Sequence, residues 1–192
     1  MLPIIKQKRY RLQSFDIRLA CYSIAMRKLV VIAHNLRSTH NVGSLLRTAE
    51  GLGIEKVILS GYTPYPIAPK DERLPHLAKK IDKDIRKTAL GAEALISWEH
   101  QTVIQETIQE LRKNGYMIVA LEQAKDSISL PEFCKNTPPE QPIALILGRE
   151  VEGVESEVLK LCDKIVEIPM RGKKESFNVI QAAAIAMYIL QF

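Results

Sequence analysis

The chain is poor in the residues that staple or anchor a protein. Its 192 residues include three cysteines, Cys21, Cys134 and Cys162, which are scattered, odd in number and without a CxxC pair. This argues against a zinc site or a disulfide framework and makes a reducing compartment, the cytoplasm, the default. No uninterrupted apolar run approaches the ~20 residues that a bilayer span needs. The longest candidate, the C-terminal VIQAAAIAMYILQF, is too short and carries Gln181, so no membrane is expected as a partner. Common cofactor and nucleophile signatures are missing too: there is no GxGxxG, no GxxxxGK(S/T) and no GxSxG. The four histidines, His34, His40, His76 and His100, lack metal-ligand spacing, and no metal is expected.

What is present is a globular chain with a lopsided charge. A hydrophobic content of 46% supports a well-developed core, and the length favours one domain. Residues 1–28 carry seven Lys or Arg against Asp16, a local net charge of +6, while the remainder is close to neutral. The formal charge of +5 therefore belongs to a basic N-terminal arm ahead of a domain at 29–192. Such an arm is either an electrostatic footprint for a phosphate backbone or a solvated tail, and charge alone weighs the two evenly. An organelle transit peptide is the weaker reading, because the arm has only Ser14 and Ser23.

Hydrophobic periodicity predicts alternating strands and helices. A strand at Leu29–Ala33 leads through HNLRSTH to a helix capped by Asn41, with Val42, Leu45, Leu46, Ala49 and Leu52 as its buried stripe. Strands follow at Lys56–Leu59, 96–98, Tyr116–Leu121, Ile143–Leu147 and Lys164–Ile168. Helices are expected near 76–90, 101–113, 155–161 and Asn178–Leu190. The Pro-rich segment 61–75 is long for a connector, and 124–141, with Pro131, Pro138, Pro139 and Pro142, reads as loop. The alternation implies an α/β fold with a mostly parallel sheet and helices on both faces.

Two strand-to-helix junctions stand out, because in open α/β sheets ligands bind outside the strand ends. In the first, Arg47 lies opposite the buried stripe, with small Gly43 and Ser44 one turn before it. That would leave it across an open patch beside Asn35, Arg37 and Asn41. The competing reading, an ion pair with Glu50 at i, i+3, is favoured on helix geometry alone. In the second, Gly148–Arg149–Glu150–Val151–Glu152–Gly153 follows the most apolar strand. Its glycines allow close backbone approach by a ligand, and a carboxylate there can orient a loop by accepting N–H bonds; an ordinary glycine turn is the alternative. Farther on, Ile168 and Met170 beside Gly172 could hold a flat ring, and Ser176 or Asn178 could cap the last helix. That helix is apolar on nearly all sides, so it is either central or covered by a second subunit.

Together these motifs resemble the SpoU/TrmH family of the SPOUT methyltransferase superfamily. The resemblance rests on Asn35-x-Arg37-x-x-x-Asn41-x-Gly43 with Arg47 following, on Leu147-Gly148-x-Glu150-x-x-Gly153, and on Ile168-Pro169-Met170-x-Gly172 leading to Ser176-Phe177-Asn178-Val179. It implies an S-adenosyl-L-methionine-dependent transfer of a methyl group to a ribose 2′-hydroxyl of tRNA or rRNA. It also implies a C-terminal trefoil knot that binds the cofactor, and a homodimer with its sites at the interface. Leu147, Gly148, Ile168, Met170, Gly172, Ser176 and Asn178 would surround the cofactor, with Glu150 bracing their loop. Arg47 would be catalytic with Asn35 orienting the ribose, and Arg37, Asn41, Lys8, Arg9 and Arg11 would contact RNA. An arginine holds its proton above pH ~12, so Arg47 would act as an electrostatic clamp rather than a base. The family pattern has Leu at Phe177 and Ser-Val-Ala at Ile180-Gln181-Ala182, so one polar contact differs. No separate RNA-binding domain precedes the core, and RNA is expected to dock through the arm, the dimer cleft or segment 61–75. Two rivals remain at this point: an RNA-binding module that keeps the fold without turnover, and an unrelated small-molecule α/β enzyme.

Overall fold

Seven parallel strands form one sheet in the computed structural model, which describes residues 27–192. They are β1 (Leu29–His34), β2 (Lys56–Ser60), β3 (Trp98–Gln101), β4 (Met117–Leu121), β5 (Ile128–Ser129), β6 (Ile143–Leu147) and β7 (Lys164–Glu167), in the spatial order β3-β2-β1-β6-β4-β7-β5. The central strands β1 and β6 are buried along their whole length, as uniformly apolar runs in a parallel sheet must be. The chain builds outward from β1 to β3, then restarts on the other side of β6. The strand ends on either side of β6 therefore open onto one crevice.

Helices cover both faces. α1 (Thr39–Gly51), α2 (Pro75–Ala89), α4 (Leu130–Asn136) and α6 (Val179–Gln191) pack over Val31, Ala33, Leu145 and Leu147. α3 (Ile104–Lys113) and the single-turn α5 (Ser156–Leu159) cover Val30, Ile32, Ile118 and Ile146 on the other face. Alternate residues of each strand thus serve opposite layers, as the two-residue strand period requires.

Three local expectations are corrected. Ser38, not Asn41, caps α1: its side chain accepts from the Asn41 N–H at 3.2 Å, a contact worth ~1 kcal/mol. The segment 124–141 is not all loop, because it contains β5 and α4. Pro131 sits in the first turn of α4, where its missing N–H has no helical partner to lose. β3 begins at Trp98 rather than ending there, and α3 starts three residues later than expected.

The basic arm as far as residue 26, with Lys8, Arg9 and Arg11, lies outside the described residues, but its last two members, Arg27 and Lys28, are hydrogen-bonded to the domain. Arg27 donates to the Leu190 carbonyl at 3.1 Å and to that of Gln141 at 3.2 Å, and the Lys28 carbonyl accepts from Ile143 at 2.9 Å. α6 is not central. Ile180, Ala183, Ala186, Met187 and Leu190 face the core, while Tyr188, Ile189 and Phe192 on its other side are exposed in the single chain.

Gly43 is where α1 and α2 cross. It is buried, and a Cβ there would overlap the Ile85 carbonyl oxygen and Thr88 Oγ1. Because one of these obstacles is helix backbone, little can give way. Gly43→Ala is expected to lower the unfolding free energy by about 1–3 kcal/mol in a urea titration; an unchanged midpoint would contradict so close a crossing.

Candidate active site

The ends of β1 and β2 are locked by a buried polar network. Asn35 is in the left-handed backbone region, with φ of 58°, which asparagine tolerates better than most residues. Its Oδ1 accepts from the Tyr62 N–H at 3.1 Å. Its Nδ2 donates to His34 Nε2 at 3.1 Å and to Glu155 Oε1 at 3.0 Å. Since Nδ2 can only donate, His34 Nε2 is the acceptor and Nδ1 carries the hydrogen, which it gives to Ser60 Oγ at 3.1 Å. Burial pushes the His34 pKa down; Glu155 opposes this and Arg149 adds to it, so the ring is neutral. Glu155 is also paired with Arg149, whose guanidinium carbon lies 5.7 Å from the centre of the Tyr62 ring.

A second link crosses from the loop after β6 to the start of α1. The Glu150 carboxylate accepts from the backbone N–H of Arg37 at 3.2 Å, from that of Ser38 at 3.1 Å, and from Asn41 Nδ2 at 3.0 Å. Two of these donors are main-chain N–H groups just ahead of α1 and one is a side-chain amide in its first turn, where a carboxylate is further favoured by the helix dipole. Burial pushes the Glu150 carboxyl up, but the bonds from Asn41, Ser38 and Arg37 outweigh it, and the pKa lies below the usual carboxylate value. The Arg37 side chain pairs with Glu152 at 3.2 Å across the same gap.

Beyond this bridge a cavity of about 260 Å³ opens at the ends of β4, β6 and β7. Gly148, Glu150, Ile168 and Ser176 line it, as do Leu121, Glu122 and Gln123, which no motif had marked. Leu121 ends β4 and Glu122 and Gln123 follow it; the topology inserts this strand between β6 and β7. Glu122 accepts from the Val154 N–H at 2.7 Å and so holds the tip of the 148–154 loop. The lining is acidic, with Glu122, Glu150, Glu152, Glu167 and Glu175 against Arg149.

Several expected positions have other roles. Leu147 is fully buried in the core, and Met170, Gly172 and Asn178 do not line the cavity. Asn178 caps α6 through the Ile180 N–H at 2.9 Å. Gly148 is required by its own loop: a Cβ would overlap the backbone of Gly153 and Val154, where the loop closes on itself through the Arg149 and Gly153 main chains. Both N–H groups of Asn35 are spent inside the protein, leaving none to orient a ribose. Arg47 is exposed, lies outside the cavity lining, and makes no ion pair with Glu50 or any other described residue. The open patch expected at Gly43 does not exist, because α2 covers it. Among the described residues, no cluster of His, Cys, Asp and Glu could hold a metal ion, and no helix is long and apolar enough to cross a membrane.

The family model described as "SpoU rRNA Methylase family" matches residues 28–188. The chain belongs to this family. It is 31% identical over 159 residues to a putative TrmH family tRNA/rRNA methyltransferase of Staphylococcus saprophyticus, covering 83% of this chain and 56% of that protein. It is 29% identical over 161 residues to the 23S rRNA (guanosine-2′-O-)-methyltransferase RlmB of Ralstonia nicotianae, covering 83% and 57%. The SpoU-family chain thus spans a little over half the length of these curated relatives. Its fold is that of the AdoMet-bound rRNA methyltransferase from Sinorhizobium meliloti, with a TM-score of 0.69, 20% identity and coverage of 86% and 56%. It is shared also with the A. aeolicus TrmH/SpoU tRNA modifying enzyme, with a TM-score of 0.68, 23% identity and coverage of 88% and 77%. In this SpoU-family chain the first two family motifs are the two partners of the Glu150 bridge.

The depressed Glu150 pKa has a consequence for acid stability. Near that pKa the unfolded chain binds more protons than the folded one. The contribution is therefore full above the ordinary carboxylate pKa of ~4.3 and is lost as pH falls through the folded value. Stability measured by urea titration should fall more steeply below about pH 4.3 for the native chain than for Glu150→Gln. Equal acid slopes would contradict the bridge.

Proposed function

We propose that this chain transfers the methyl group of S-adenosyl-L-methionine to a ribose 2′-hydroxyl of rRNA or tRNA, in the cytoplasm. The observation that carries the reading is the Glu150 bridge, which sets the acidic cavity against the α1 N-terminus and its flanking loop. A negative lining suits a ligand bearing sulfonium and ammonium charges. Leu121, Ile168 and Val179 offer an apolar wall for a flat ring. When bound, this cofactor supplies an electrophilic methyl group.

The chain's own residues supply position and charge. Gly148, Glu150, Ile168 and Ser176 form the cavity side of the site. Leu147 precedes Gly148 at the end of β6 and Asn178 caps α6, while Met170 and Gly172 lie between the lining residues Ile168 and Ser176 in the chain without lining the cavity themselves. Holding the sugar oxygen in line with the methyl group is worth roughly 7–11 kcal/mol when the geometry is near-attack. Arg47 contributes a cation with no competing ion pair among the described residues, and it clamps the developing oxyanion and an adjacent phosphate. Asn35 acts as a positioning residue through its network. Arg37, Asn41 and the arm residues Lys8, Arg9 and Arg11 hold the RNA backbone. Relatives such as RlmB are named for a guanosine of 23S rRNA, which makes an rRNA guanosine the first substrate to test.

Two further parts of the reading concern assembly. The exposed Tyr188, Ile189 and Phe192 of α6 are an apolar face that a second copy would cover, and α6 also contributes Val179 and Ala182 to the cavity. A homodimer joined there keeps the site beside the interface. The 148–154 loop and the 168–178 segment, which both flank the cavity, are the expected crossing strands of a C-terminal trefoil knot.

Arg47→Ala is expected to lower methyl transfer by about 10²–10³-fold, with cofactor affinity by calorimetry unchanged; native turnover would overturn the clamp. Removal of residues 1–26, which spares the anchored Arg27, should weaken RNA binding and flatten its dependence on salt. An unchanged salt slope would return the arm to the status of a tail.

A further inference from the structure

A second cavity, of about 460 Å³, lies across the wall formed by Arg37 and Tyr62. Its lining is mostly apolar or aromatic, and its floor is rigid. Tyr65 stacks on His100 with ring centres 4.1 Å apart, and the guanidinium carbon of Arg73 is 3.5 Å from the Tyr65 ring centre. Arg73 is in turn fixed by the Tyr65 carbonyl at 3.0 Å, the Pro66 carbonyl at 3.1 Å and the carboxylate of Asp71. Segment 61–75 is therefore a built wall rather than a slack connector. Both faces of Tyr65 are taken. Tyr62 is different: Arg149 lies over one side of its ring, and the residue is 51% exposed.

The two cavities touch through specific pairs. Arg37 lines the second cavity and pairs with Glu152, which lines the first. Tyr62 lines the second, and its ring is met by Arg149 from the first. Asn35 holds the Tyr62 backbone in place. A sugar at this shared wall would have its 2′-oxygen on the acidic side and its base, or that of its neighbour, on the aromatic side. A cation beside an exposed aromatic ring is the combination that binds single-stranded nucleic acid, with the phosphate on the cation and the base on the ring.

We infer that the cavity lined by Tyr62, Tyr65 and Arg37 receives an unpaired base of the RNA strand, stacked on Tyr62, and so fixes the ribose at the methyl-transfer site. This rests on the methyl-transfer reading above and adds to it the element that grips the base. It also requires the strand to be unpaired at that point, because a base held in a duplex cannot present its face to a side chain.

The test compares two probes at one salt concentration: a single-stranded RNA oligomer of mixed sequence, and a base-free ribose-phosphate oligomer of the same length. The native chain should bind the base-bearing oligomer more tightly. Tyr62→Ala should weaken that binding by about 5- to 150-fold and leave the base-free oligomer unaffected, while Tyr62→Phe stays within about twofold of the native chain because it keeps the stacking face. Calorimetry with S-adenosyl-L-methionine on all three proteins should give equal affinities, which also reports that the variants are folded. Equal native affinity for the two oligomers, no loss in Tyr62→Ala, or an equal loss on both probes overturns the base pocket and leaves the methyl-transfer reading standing. Absence of cofactor binding by the native chain overturns that reading, and the pocket's role with it.

Discussion

One carboxylate joins the parts of this protein that the chain keeps more than a hundred residues apart. Glu150 reaches from the loop after β6 to the first turn of α1 and satisfies the N–H groups of Arg37 and Ser38 and the amide of Asn41. Had those donors been left unpaired, each would have cost about 1–3 kcal/mol where buried. Had the carboxylate been left without them, burial would have raised its pKa instead. The two needs are complementary. The result is that a loop lining the acidic cavity and a helix N-terminus have one fixed relation to each other.

The neighbouring network of His34, Asn35, Ser60, Glu155 and Arg149 extends that constraint sideways to β2 and to Tyr62. Buried polar groups of this kind are expensive unless partnered; within this network Arg149 Nε is left buried without a hydrogen-bond partner. The left-handed backbone at Asn35 is held by the same bonds. The same bonds tie together the cavity loop, the α1 N-terminus and Tyr62 of the aromatic wall, and in the proposed reaction that linkage serves to orient the reactants.

Much of this was legible in the sequence, and the exceptions have physical causes. β1 and β6 are readable because a parallel strand buried on both faces leaves an unbroken apolar run, as in LVVIA and IALIL. The Glu150 brace was legible as a chemical possibility, though not its partners, since those follow β1, a neighbour of β6 in the sheet but more than a hundred residues away in the chain. β5 and α4 were hidden by prolines, which read as breakers although Pro131 starts a helix. Glu122 and Gln123 carried no motif; only the non-sequential strand order brings them to the cavity. The small size of Gly43 suggested an open patch beside Arg47, but α2 packs against it instead. The aromatic wall was hardest to read, because Tyr62, Tyr65, Arg73 and His100 have no shared periodicity and meet only through the order of β1, β2 and β3.

In the proposed reaction the acidic cavity, the exposed Arg47 and the aromatic wall serve one site. Its most direct test is incubation of the full chain with labelled S-adenosyl-L-methionine and total RNA from cells lacking this gene, followed by mapping of the label. The account predicts label on a ribose 2′-oxygen at a defined nucleotide of rRNA or tRNA. Label on a base atom, or no transfer from a cofactor that demonstrably binds, would contradict it.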